Sequence, residues 1–159
     1  MATATAEFEF RAEDPDMVLT HMARLGDAHR GWINLQPGIR EEDTPPAPTA
    51  LGFIFSSSRY EVPMCTWVAG REGRHGVEAD SLGIQHGSGP RAVRRLAGME
   101  LPLPEGWRWV QDNPLRGLVV RTPPGTDHAD QLRWLLQAGS ALSKVPLTGD
   151  WRALVYEGR

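Results

Sequence analysis

The chain is short of several things, and each scarcity removes a class of protein. Its only cysteine is Cys65, so an internal disulfide and a cysteine zinc site are both excluded. No apolar run approaches the ~20 residues that a membrane-spanning helix needs. Residues 1–7 lack the basic-then-apolar pattern of a secretory leader, which leaves the cytoplasm as the expected location. Lysine is nearly missing, with Lys144 alone among 17 Lys and Arg. Alongside 17 Gly and 13 Pro, that bias reads as the imprint of a GC-rich bacterial genome, not as arginine selected for a task. Surplus positive charge is absent too. The net charge is −3 and the pI about 5.9. That argues against a nucleic-acid binder held by bulk charge, since phosphate contacts need a basic surface.

What is present has the balance of an ordinary folded chain. Hydrophobic residues make up 40% and charged residues 23% of the 159, which predicts one domain spanning 1–159 with a sizeable core. Residues 36–50, with an acidic Glu41-Glu42-Asp43 and several prolines, read as a loop inside it.

Hydrophobic periodicity predicts the elements. Glu7 to Arg11 alternates as a strand. Asp14-Pro15 marks the start of a helix to about Arg30, with Val18, Met22 and Leu25 on its buried stripe. Trp32 to Leu35 extends briefly. Strands are expected at Leu51–Ser57, Val62–Ala69 and Val77–Gln85, with 70–76 a loop. Pro90 opens a short helix to about Gly98. Trp107–Asp112 and Gly117–Thr122 form a hairpin across Asn113-Pro114. Thr126 or Asp127 caps the strongest helix, to about Ser143, and Trp151–Tyr156 closes the chain. The sum is an α+β fold with an antiparallel-rich sheet and helices on one face. The order β-α-β-β-α-β from Val77 fits a ferredoxin-like unit, and the order from Glu7 fits a duplicated β-α-β-β arrangement. Domains of such paired units often hold small molecules between them, an analogy of architecture alone.

Chemistry has few places to sit. In Gln85-His86-Gly87-Ser88-Gly89-Pro90-Arg91 a glycine-rich turn leads from strand to helix. That geometry aims backbone N–H groups at an anion, and Arg91, Arg94 and Arg95 would share one face of the helix. The plain alternative is that Ser88 or Gly89 caps a short helix and the arginines are solvated. Neither a Walker pattern nor GxGxxG is present. The histidines (His21, His29, His75, His86 and His128) have no metal-binding spacing, so no metal and no cofactor are expected. Cys65 would be a nucleophile only beside His75 or His86; a lone cysteine near Trp67 is more often a buried apolar residue. Trp107 and Trp109 share a strand face and would make a stacking platform if that face were open. Trp134, off its helix's leucine stripe, is expected to be half exposed.

The reading with most support is a non-enzymatic module for a small anionic or aromatic ligand, held by His86, Gly87, Ser88, Gly89, Arg91, Trp107 and Trp109. A second is a protein-interaction or homodimerising module using an aromatic sheet face. A third is a small hydrolase or transferase using His86 with Ser88, or Cys65. Nucleic acid and membrane are not expected partners.

Overall fold

The computed structural model describes residues 2–45 and 60–158. They form an α+β fold with a large antiparallel sheet and three helices. In chain order these are β1 (Ala6–Arg11), α1 (Asp16–Asp27), β2 (Trp32–Pro37), β3 (Met64–Val68), a two-stranded hairpin of β4 (Glu72–Gly73) and β5 (Gly76–Val77), β6 (Ser81–Gln85), α2 (Ala92–Gly98), β7 (Arg108–Asn113), β8 (Gly117–Arg121), α3 (His128–Ala141) and β9 (Asp150–Tyr156). The strand expected at Leu51–Ser57 lies outside the described residues. Trp32–Pro37, which reads from sequence as a brief extension, is a full strand near the centre of the sheet.

The sheet runs β1-β9-β2-β3-β6-β8-β7, and every neighbouring pair is antiparallel. Register and alternation together make the core. Val155, Ile33, Trp67, Leu82 and Val120 stand opposite one another across five strands, and Ala153, Leu35, Cys65, Ile84 and Leu118 form the next row. All ten are buried, because side chains at positions i and i+2 of a strand share a face. The same core takes Val18, Met22 and Leu25 from α1, Ala92 and Leu96 from α2, and Leu132, Leu135 and Leu142 from the α3 segment. The helices therefore cover one face. The other carries Trp32, Asn34, Thr66, Gly83 and Arg121; Trp32 stacks on its cross-strand neighbour Tyr156 with ring centroids 4.9 Å apart.

Among the described residues β1-α1-β2-β3 and, after the β4–β5 hairpin, β6-α2-β7-β8 share a β-α-β-β order, but their strands are placed differently. In the second run β8 fills the gap between β6 and β7; in the first, β9 fills the gap between β1 and β2, and β3 lies outside it. For a ferredoxin-like unit β9 would lie beside β6, yet β2 and β3 separate them.

Two local details set how the helices sit. Asp14 does not cap α1: its backbone N–H closes a turn onto the Arg11 carbonyl, and Pro15 is the N-cap residue without a side-chain hydrogen bond. Asp127 does cap α3, accepting the Ala129 N–H at 2.7 Å. Gly139 lets α3 lie close over β3, because a Cβ there would stand 2.4 Å from the Cys65 sulfur.

Candidate functional site

The turn from β6 into α2 is built differently from an open anion cradle. The N-cap residue of α2 is Arg91, in the left-handed region at φ 57°. The first free N–H groups of the helix, on Ala92 and Val93, donate to the two carboxylate oxygens of Asp112 at 3.1 Å each. A carboxylate at a helix N-terminus meets both unpaired donors and the positive end of the dipole. The chain thus supplies its own anion from β7. Ser88 and Gly89 do not cap the helix.

His86 is buried, and its Nδ1 accepts the Ser88 N–H at 3.3 Å and lies 2.8 Å from Ser88 Oγ. Arg95 donates to Ser88 Oγ and to the Gly89 and Pro90 carbonyls. With Nδ1 accepting, the ring proton sits on Nε2, and among the described residues that buried atom has no partner. Burial, with Arg95 nearby, holds the imidazole below its ordinary value against the opposing pull of Asp112. A serine–histidine pair works as nucleophile and base when an acid on the far nitrogen stabilises the imidazolium. Here that nitrogen has no acceptor, and the nearest cation opposes protonation. Gly87 is tied to Tyr60 through its N–H.

Trp109 falls on the helix side of the sheet. It stands opposite Val120, a core residue, so Trp107 and Trp109 do not form a platform on the open face. Trp107 precedes β7 and packs edge-on against Trp134 at 5.8 Å. Trp134 is only 6% exposed, not half exposed; its indole N–H reaches the Pro102 carbonyl. The loop 99–106 covers it, which the helix periodicity alone does not reveal.

Cys65 is fully buried, and burial pushes its thiol up to about 12. Its S–H points at the Leu135 carbonyl in α3 at 3.7 Å. It is a packing residue. His75 sits on the exposed β4–β5 turn.

A polar cluster that the sequence reading does not find lies at one end of the sheet. Gln131, fully buried on α3, accepts the Trp67 indole N–H at 3.0 Å and donates to Thr122 Oγ1 at 2.7 Å and Asp80 Oδ2 at 3.1 Å. Asp80 also accepts the Gly70 N–H at 2.7 Å and lies 3.7 Å from His128 Nε2. Burial raises the Asp80 carboxyl, but the His128, Gly70 and Gln131 contacts outweigh it and leave the group below its ordinary value. The signal was in the spacing: Gln131 falls in phase with Leu135, Ala138 and Leu142, a polar residue on an apolar stripe. A cavity of about 350 Å³ opens here, with Asp27, Glu78, Asp80 and His128 in its wall. Among the described residues no three His, Cys, Asp or Glu side chains are placed to hold a metal ion.

The largest cavity described, about 650 Å³, runs along α3. Ala129, Leu132, Leu136 and Ser140 line it from the helix, Pro15 and Leu101 from the flanking segments, and Trp151 from β9. A smaller one of about 260 Å³ lies on the other side of the same helix, walled by Pro104, Trp107 and Trp134. Arg133 and Gln137, both exposed, line both cavities. Arg133 is paired with Asp130 at 2.9 Å, a solvent-exposed pair of the kind worth under about 1 kcal/mol and so easily exchanged for a ligand. Comparison with protein-family models, curated proteins and solved structures finds no match to this chain.

Proposed function

We propose that this protein is a non-enzymatic binding module for a small molecule with an aromatic or apolar body and an acidic group, seated along α3. The observation that carries the reading is the 650 Å³ cavity beside that helix. Its volume falls in the range of small-molecule sites, and leucine, proline and tryptophan wall it beside four polar residues, Glu13, Arg133, Gln137 and Ser140, with Glu13 paired to Arg11. Arg133, shared with the Trp107–Trp134 cavity, is the group that would meet the acid. The 86–91 turn is the weaker seat for an anion, because Asp112 already holds the N–H groups at the start of α2.

A second reading, hydrolase or transferase chemistry at Ser88, has one observation in its favour: the 2.8 Å contact to His86. The partnerless Nε2 and the adjacent Arg95 weigh against it. Titration with 1-naphthoate, followed by tryptophan fluorescence, tests the main reading. Saturable quenching that Ala129→Trp abolishes and Arg133→Gln weakens is the expected result. Quenching that is absent, or untouched by both substitutions, would count against it.

A further inference from the structure

We propose that the free edge of β7 is a docking site for an acidic peptide, which adds to the sheet as an extended strand. β7 is last in the sheet order, so among the described residues one side of its backbone has no strand beside it. Peptide groups along such an edge are a template for a further strand, and the side chains beside them select which strand is taken.

Charge identifies the partner. On the open face Arg108 stands directly opposite Arg121, and both are exposed. Like charges across an antiparallel pair repel. Among the described residues neither guanidinium has an ion pair or hydrogen bond to relieve that repulsion. A carboxylate on an added strand would sit beside Arg108 and supply what the sheet lacks. The other face of the same edge carries Trp109, which is 56% exposed opposite Val120. Because side chains alternate along a strand, an incoming segment with acidic residues on one face and apolar residues on the other matches both.

A second copy of β7 fits less well. Antiparallel self-pairing centred on Val110 would set Arg108 against Asp112, but the Asp112 carboxylate is committed to the Ala92 and Val93 N–H groups. Single-stranded nucleic acid shares the arginine and tryptophan chemistry but makes no use of the free strand edge.

The test is fluorescence anisotropy with three labelled probes: an octapeptide alternating Val and Glu, the same peptide with Lys for Glu, and an oligo-dT strand. The Val/Glu peptide should bind saturably, at least tenfold more tightly than the Val/Lys peptide. R108E/R121E should invert that preference, R108Q/R121Q should erase it, and Trp109→Ala should weaken both peptides several-fold. All three positions are exposed, and circular dichroism verifies that each variant is folded. Ala129→Trp should leave peptide binding unchanged, which separates this edge from the α3 cavity. Equal binding of the two peptides, no saturation with either, or a preference that survives charge reversal would overturn the proposal. Tighter binding of oligo-dT than of the Val/Glu peptide, lost in R108E/R121E, would also overturn it and assign the edge to nucleic acid.

Discussion

Replacing Gly139 by alanine sets two large effects against each other, and the geometry decides which one wins. A helix interior favours alanine over glycine by about 1 kcal/mol, so propensity alone predicts a more stable protein. The added methyl, however, would stand 2.4 Å from the Cys65 sulfur. Ordinary contact begins near 3.4 Å, so the overlap is about an ångström. Cys65 cannot swing away, since it is fully buried in β3 with its S–H against the Leu135 carbonyl. Overpacking of this kind costs typically about 1–3 kcal/mol. The net expectation for Gly139→Ala is a loss of up to about 2 kcal/mol, at about 2–4 °C of midpoint per kcal/mol for a chain of this length. Removing the sulfur removes the clash, so Gly139→Ala in a Cys65→Ala background should be neutral or stabilising. Urea unfolding of the four proteins gives the coupling directly, expected to be at least about 1 kcal/mol for residues in contact. A stabilising Gly139→Ala, or additive effects of the two substitutions, would refute the close approach of α3 to β3.

Three further outcomes follow from the buried polar groups. Gln131→Leu strands the Trp67 indole N–H and removes two donors from Asp80 and Thr122, so urea unfolding should show a loss of about 2–4 kcal/mol; a neutral result would mean that the network contributes nothing. His86 is held below its ordinary 6.5 by burial and Arg95, so the unfolded chain takes up a proton that the folded one refuses. Stability is then full above pH 6.5 and falls below it, by at most about 1.4 kcal/mol per pH unit for this histidine. His86→Gln should flatten that decline in unfolding curves taken between about pH 7.5 and 5.5; His21, lowered mainly by burial and Arg24, retains a part of the same sign. Cys65 should resist a thiol reagent such as Ellman's at pH 8 in the folded protein and react promptly in urea; fast reaction of the native protein would place it elsewhere than under α3.

Much of the architecture was legible because burial writes itself into spacing. Val18, Met22 and Leu25 announced α1, and the alternation of Cys65 and Trp67 announced β3. Placement in the sheet was not legible. Nothing local tells β9 to insert between β1 and β2, since strand order is fixed by which hydrophobic faces can be covered together and not by neighbours in the chain. The same limit explains the site. Asp112 caps α2 from twenty positions away, so the turn at 86–91 read as an unfilled anion cradle. Trp134 lies off its leucine stripe, and the loop 99–106, which buries it, has no periodicity to read. Gln131 was the missed clue, for a polar residue in phase with leucines has to find partners in the core.

The most direct test of ligand binding along α3 is an amide chemical-shift map of the protein titrated with 1-naphthoate. Saturable shifts are expected, confined to Ala129–Ser140, Leu101, Trp151 and Ala12–Pro15, the segments that wall the 650 Å³ cavity. Shifts centred on His86–Arg91, or none at saturating probe, would contradict binding along α3.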